Sequence, residues 1–262
     1  MQNDPGLDLG RLRALRGRSI DLDALHACIA HYARSHPGRV WVAWSGGKDS
    51  TVVLDLARQL IPQIPVVFYD CGLDFPETYR YIDDLAERWS LNLHTIPTRP
   101  DLLTAVVAAG DLHRGRPTRS LGVDMRQAMI TAPAARAHEQ FGPANLWGVR
   151  SAESSGRRYL HRRALRAGQP GTIARVDGTH SYSPIWNWST PRVWEYLHAH
   201  HVPVNPLYTK LAALGVDESR ARVDAMIDPG RLDNGHIAIL ARGWPDIFDS
   251  LVEVLPRLSD YV

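Results

Sequence analysis

Hydrophobic and polar positions along this chain alternate between short continuous apolar runs and longer stretches at helical spacing. The first run is Val40-Trp41-Val42-Ala43-Trp44, and Thr51-Val52-Val53-Leu54-Asp55-Leu56-Ala57 follows as a helix that starts at about Ser50 and stops near Pro62. Residues 64–70 are continuously apolar up to Asp70, the pattern of a strand covered on both faces. A second helix carries Pro76 in its first turn and Tyr79, Ile82, Ala86 and Trp89 at helical spacing, and a third strand spans 91–96. Strand, helix, strand, helix, strand is the order of a parallel sheet wound on both sides. Further on, the spacing predicts a short buried helix over 102–109, mainly helical stretches over 125–140 and 190–200, and strands over 145–149 and 182–186. Ser189 or Thr190 caps the helix at 190, with Pro191 in its first turn. From about Val216 the pattern breaks into short helical pieces punctuated by Pro229, Gly235, Gly243 and Pro245. The expected organisation is a helical lead-in over 1–35, an α/β domain with a doubly wound, mostly parallel, Rossmann-like sheet over 36–210, and a C-terminal helical tail over 211–262. Residues 110–122, rich in Gly and Arg, are expected to form a mobile loop over the site.

Composition narrows this only slightly. With 262 residues and 44% hydrophobic content, one substantial core and an appendage are affordable, but hardly two full domains. The net charge of +2 implies no partner, yet seven arginines against one glutamate between Arg150 and Arg175 put +6 on one segment and −4 on the remainder. Arg158, Arg162 and Arg166 would share a helix face there, with His161 beside them; a solvated basic face is the first expectation, nucleic-acid or polyphosphate contact the second. Cys28 and Cys71, the two cysteines, are too few and too far apart for a zinc knuckle, an iron–sulfur cluster or a disulfide framework, so a reducing compartment is expected. Neither a signal peptide nor a run long enough to span a membrane is recognisable, and the expected location is cytoplasmic, with no membrane partner. His198-Ala199-His200-His201 follows a helix end, where imidazoles suit the dipole, and is not expected to bind metal.

The chemistry concentrates in Ser45-Gly46-Gly47-Lys48-Asp49-Ser50, between the first strand and its helix. Adjacent glycines let the backbone turn its N–H groups inward, and the helix adds its positive end, so the segment reads as a phosphate cradle. Lys48 is one of two lysines, with Lys210, against 28 arginines, so a compact ammonium has been preferred here in a chain that otherwise uses guanidinium. A Walker A loop is excluded, because the upstream glycine is missing and Asp49 follows the lysine; the G-x-G-x-x-G fingerprint is missing too. Two more polar turns leave strands at the same sheet edge: Asp70-Cys71-Gly72-Leu73-Asp74-Phe75-Pro76-Glu77-Thr78 and Gly148-Val149-Arg150-Ser151-Ala152-Glu153-Ser154-Ser155-Gly156-Arg157.

SGGKDS after a strand resembles the loop of the PP-loop ATP pyrophosphatase superfamily, and the two further turns are similar to its phosphoadenosine phosphosulfate reductase-like branch, as are Ser183 to Ser189 and Asn205-Pro206-Leu207-Tyr208. The match spans about 38–210. The resemblance implies an adenine nucleotide alpha hydrolase-like fold and cleavage of ATP, with Mg2+, to AMP and pyrophosphate so as to activate an acceptor. It implies that Ser45, Gly46, Gly47, Lys48, Asp49 and Ser50 hold the outer phosphates, that Asp70 and Gly72 border the adenosine, and that Arg150 and Arg157 bind an anion opposite, making Lys48, Arg150 and Arg157 the catalytic set. Asp49 or Asp70 would hold the metal, while Glu77 and Glu153 stand as further candidates, Glu153 either orienting Arg150 or acting in catalysis.

The branch includes the small subunit of bacterial ATP sulfurylase and the ATP-cleaving component of DNA phosphorothioation. The implied acceptor is therefore a DNA phosphate, with a cysteine desulfurase or another sulfur-transfer partner, or sulfate, with a GTPase partner. A non-catalytic subunit that binds ATP or a sulfonucleotide is the third reading, and a homodimer is compatible with all three. Reductases of this branch need a cysteine near the C-terminus and the cluster-bearing relatives need several; none follows Cys71 in these 262 residues, where Arg220 and Arg222 occupy a comparable region. Thiol-dependent reduction and an iron–sulfur cluster are accordingly not expected. Cys71 is expected to be a small, semi-buried residue, with sulfur carriage the alternative.

Overall fold

The structure, a computed structural model, describes residues 20–109, 124–228 and 232–262, so the first part of the lead-in and the loop expected at 110–122 lie outside the described residues. In chain order the principal elements are α1 (Leu22–Arg34), β1 (Val40–Ala43), α2 (Lys48–Leu60), β2 (Pro65–Asp70), α3 (Pro76–Arg88), β3 (Asn92–Pro97), α4 (Leu102–Ala108) and α5 (Ala132–Phe141). They continue with β4 (Ala144–Leu146), α6 (Ser155–Arg166), β5 (Thr172–Ala174), β6 (His180–Tyr182), α7 (Thr190–Ala199), α8 (Leu207–Ala213), α9 (His236–Gly243) and α10 (Pro245–Val254). The strands form one six-stranded sheet in the order β3-β2-β1-β4-β6-β5, parallel except for the antiparallel edge pair β5–β6.

Side chains alternate across the central strand as the pleat requires. Val40 and Val42 enter a core with α1, α2 and α7 on one face, whereas Trp41 joins Val67, Ile96 and Ala137 on the other, under α5. Helices on both faces confirm the doubly wound α/β sheet expected from the order of elements. Because the chain runs β1, β2, β3 outward on one side and returns to β4 on the other, the order reverses between β1 and β4. In open parallel sheets ligands bind at such a reversal, beyond the carboxyl ends of the strands.

Several boundaries differ from the sequence reading for local reasons. The last parallel strand lies at 180–182, not 182–186, because Pro184 has no N–H to give a ladder and residues 184–187 turn back on themselves. The β5 strand was not expected at all; three residues flanked by glycine and arginine leave too short a pattern. Ahead of α5, Pro133 cannot supply an intrahelical donor, and the preceding Gln127–Thr131 turn opens to π-type geometry. In α3 the buried stripe is Thr78, Tyr81, Ile82 and Leu85, so Tyr79 is left to face the strand-end turn.

Beyond residue 206 the chain builds a second core across the carboxyl edge of the sheet. Leu73, Phe75, Leu102 and Val106 from the strand-end loops pack with Leu207, Leu211, Met226, Ile227, Leu240 and Trp244. An antiparallel bridge between Asp74 and Ala225, with Met226 N donating to Leu73 O at 2.8 Å, fastens the segment 221–228 to the turn after β2. On the opposite side, buried Asp55 of α2 accepts from Tyr196 Oη at 2.8 Å and from Arg58 and Gln59, joining α2 to α7. Tyr196→Phe deletes the donor from an ionised acceptor, and we expect a loss of about 1.5–3 kcal/mol in urea unfolding with the slope unchanged.

Candidate active site

Gly46 sits at φ +70°, where a side chain is strained, and a Cβ there would lie 3.3 Å from Thr78 Cγ2. Gly47 is the N-cap of α2 and has no side chain to cap it, so of the first amides Lys48 N is met by Tyr208 Oη while those of Asp49 and Ser50 have no cap from the N-cap residue; the helix starts two residues earlier than the expected start at Ser50. The loop is braced from behind instead. Ser50 Oγ donates to Gly47 O at 3.0 Å and accepts from Ser45 N at 3.3 Å, with Ser45 Oγ 3.2 Å away. Lys48 N donates to Tyr208 Oη at 3.1 Å, and buried Asn205 donates to Gly46 O at 3.3 Å and to Thr78 Oγ1 at 3.1 Å. The Asn205–Tyr208 segment, noticed in the sequence without a role, is thus the back wall of the cradle.

The charges are arranged differently from the sequence expectation. Lys48 is only 5% exposed, and its Nζ lies 3.0 Å from Asp49 Oδ2. The other Asp49 oxygen accepts from Arg150 Nε at 2.6 Å. Arg150, 3% exposed, also donates to Trp188 O at 2.9 Å and to Thr190 Oγ1 at 3.2 Å. Expected to present a bidentate fork to an anion, Arg150 instead spends its donors on protein groups and holds Asp49 in place. Arg157 does reach the open side, half exposed and paired at 2.7 Å with Glu153. Glu153 also accepts from Arg150 N at 2.6 Å, a backbone bond that braces this turn, whereas the Arg150 guanidinium bonds to Asp49, Trp188 and Thr190. The turn after β4 presses on the loop: a Cβ on Gly148 would lie 2.5 Å from Ser50 N.

A cavity of about 680 Å³ opens in front of the cradle. Ser45, Gly47, Lys48, Asp49 and Ser50 form its polar floor, while Tyr69, Met129, Ile130, Trp147 and Val149 give an apolar side. Glu153 and Arg157 stand at one rim, Tyr208, Arg222 and Asp224 at another. Arg222 and Asp224 escaped the sequence reading, since only the docking of 221–228 on the β2 turn brings them here. Asp70 and Gly72 do not line this cavity. Asp70 Oδ1 accepts from Gly72 N at 2.8 Å and Tyr79 Oη at 2.7 Å, closing its own turn, whereas the preceding Tyr69 supplies the wall. Glu77 is turned away as well, accepting from Lys210 Nζ at 2.9 Å and from Trp244 Nε1. Burial pushes its carboxyl up, but the Lys210 and Trp244 hydrogen bonds outweigh this and leave it below the ordinary glutamate value.

Beside that turn, Cys71 Sγ donates to Asp74 Oδ2 at 3.3 Å. Burial and the neighbouring Asp74 charge push the thiol well above its ordinary value, which keeps it a protonated, unreactive group. Burial pushes the Asp74 carboxyl up to about 6; the thiol hydrogen bond opposes this, and the Asp70 and Asp224 charges add to it. The carboxylates do not fit a resident magnesium ion: each oxygen of Asp49 already holds a cation, and Asp70 closes its own turn. Among the described residues no group of three or more His, Cys, Asp or Glu could hold a metal. Arg158, Arg162 and Arg166 lie exposed on α6, whereas His161 is buried and stacks on Trp186 at 5.7 Å, inside rather than beside that face.

Comparison with known proteins gives the family and the fold. Residues 39–215 match the phosphoadenosine phosphosulfate reductase domain. A phosphoadenosine 5'-phosphosulfate reductase of Xanthomonas campestris pv. campestris (strain B100) is 33% identical over 201 residues, covering 72% of this chain and 77% of that protein. One from Xylella fastidiosa (strain M12) is 33% identical over 184 residues, covering 68% and 69%. Among solved structures, the phosphoadenylyl-sulfate reductase of Candida auris, determined as a phosphate complex, superposes with a TM-score of 0.55 at 20% identity over 78% of this chain and 93% of that one, a likeness of fold.

Two outcomes follow from the packing and charge around the cradle. Gly148→Ala forces the β4 strand end away from the first turn of α2, with an expected cost of about 1–3 kcal/mol in chemical denaturation and weaker nucleotide binding. The folded-state value of Asp74 lies above the 3.8 of an unperturbed aspartate, so its penalty is absent below that value, grows as pH rises from there to about 6, and levels off above. Asp74→Asn is therefore expected to stabilise the protein by on the order of 2–3 kcal/mol at pH 7.5 and by roughly half as much at pH 5, read by thermal unfolding at both pH values.

Proposed function

The chain belongs to the phosphoadenosine phosphosulfate reductase domain family, and from that premise we propose that it is an ATP pyrophosphatase of the PP-loop type that activates an acceptor. The observation that carries this reading is the start of α2, which has a glycine N-cap and so no side-chain cap of its own, beside a buried lysine among the residues lining a 680 Å³ cavity. The β- and γ-phosphates of ATP rest against the amides at Gly47–Ser50 and on Lys48, and the base and ribose extend along the Trp147 and Tyr69 side. An acceptor oxygen attacks the α-phosphorus, the bond to the bridging oxygen breaks, and pyrophosphate leaves with the electron pair, held by the same amides. Lys48, Arg157 and Arg222 stabilise the developing charge, and no side-chain nucleophile is required. Arg150 acts through Asp49 and is a positioning residue. Magnesium enters with the phosphates of its nucleotide, which supply the oxygen ligands that the protein's carboxylates do not.

The relatives are named as reductases. Two features favour adenylyl transfer over thiol-dependent reduction in this chain: no cysteine follows Cys71 within the 262 residues, and Cys71 itself is a protonated donor to Asp74. For the acceptor, a DNA phosphate draws support from the exposed arginines of α6, with a desulfurase as sulfur-transfer partner. Sulfate with a GTPase partner is the enzymatic alternative, and nucleotide binding without turnover the regulatory one.

Pyrophosphate release measured with DNA, with sulfate and with neither separates these readings, because stimulation by one acceptor names it and binding without release leaves only the regulatory role. Lys48→Ala is expected to lower release by ~10²–10³-fold while the far-UV circular dichroism stays that of the parent. Undiminished release by that variant contradicts the assignment.

A further inference from the structure

Adjoining the larger cavity is a smaller one of about 460 Å³, and the two share Arg222 and Asp224 as a common wall. Leu211 of α8, Val216 and Ile239 of α9 give the smaller cavity an apolar side, and among the described residues Arg220 and Arg222 bring two cations to it beside the carboxylate of Asp224. Arg220 donates to Asn234 O at 2.5 Å and Arg222 to Ala221 O at 2.8 Å. Each guanidinium is therefore anchored through one hydrogen bond to a backbone carbonyl, out of the five N–H donors it carries.

Volume, wall and charge together restrict the occupant. The volume falls within the range of small-molecule sites and excludes a polynucleotide. A bare inorganic ion would leave the apolar side unused, and an uncharged hydrocarbon would leave the N–H donors of two guanidinium groups unused. Paired guanidinium groups match planar or tetrahedral oxyanions. We propose that this cavity binds a second ligand of the enzyme, a small organic molecule with an oxyanion on a compact apolar body, at the same time as the nucleotide. The proposal rests on the nucleotide occupying the larger cavity, and it gives the enzyme's second substrate a place across Arg222 from the phosphates. Charge on either ligand is felt by the other through that shared arginine.

The test is a calorimetric titration of the full chain saturated with α,β-methylene-ATP, using benzoate and phenyl phosphate as anionic probes and benzyl alcohol as the uncharged control. Both anions are expected to bind and the alcohol is not; whichever anion binds more tightly identifies the headgroup as carboxylate or phosphate. Arg220→Ala, which removes a group lining only the smaller cavity, is expected to weaken the anions at least tenfold and leave the affinity for the nucleotide analogue unchanged. Arg220→Lys should retain part of the affinity, and Ile239→Trp, which fills the cavity, should abolish it. Failure of both anions to bind, equal binding by Arg220→Ala, or displacement of the anions by the analogue overturns the proposal. Should the analogue itself not bind, the reading of the larger cavity has failed, and the same titration without nucleotide, compared between parent and Arg220→Ala, still decides the smaller one.

Discussion

Asp49 sits between two cations, with one oxygen 3.0 Å from Lys48 Nζ and the other 2.6 Å from Arg150 Nε, and the site is organised around that arrangement. The Asp49 side chain is 15% exposed, so removing either cation leaves a poorly hydrated charge, which is more costly than never having built the pair. Arg150 extends the constraint to Trp188 and Thr190, so the phosphate loop, the turn after β4 and the start of α7 are fixed relative to one another. An anion entering the cradle competes with Asp49 for Lys48. Arg150 makes that exchange feasible, since Asp49 keeps a counter-ion when the lysine turns to the phosphate.

Backbone architecture decides where this triad stands. Reversal of strand order between β1 and β4 opens the crevice beyond the two strand ends, and the glycine at 148 lets β4 approach α2 closely enough for Arg150 to reach Asp49. Gly46 serves the opposite requirement, turning the chain at positive φ directly before the glycine N-cap of α2. Polar support comes from far along the chain, from Asn205 and Tyr208, and the segment 221–228 completes the rim. The C-terminal part of the chain thus does more than trail behind the sheet: its helices share a core with the strand-end loops, and the non-helical segment 221–228 brings two charged residues to the cavity.

The first three strands, their helices and the phosphate loop were legible because each is local: periodicity of three or four residues, a proline in a first turn, two glycines before a helix. Ser45 to Ser50, Glu153 and Arg157 could be placed at one sheet edge from that grammar alone. The role of Arg150 could not, because an arginine in a polar turn reads as exposed, and its burial depends on partners at 49, 188 and 190. Asp70 and Glu77 misled for a related reason. Both have the composition of ligands, yet Tyr79 in one case, and Lys210 and Trp244 in the other, claim them first. The edge strand β5 and the docking of 221–228 were invisible because a three-residue strand and a single bridge leave no periodic trace.

The most direct test of the account is electron density for α,β-methylene-ATP with magnesium in crystals of the full chain. The account predicts the β- and γ-phosphates on the amides at the start of α2, Lys48 Nζ within hydrogen-bond reach of them, and Arg150 still on Asp49. Phosphates bound elsewhere, with Lys48 unmoved from Asp49 and the loop amides free of the nucleotide, would contradict it.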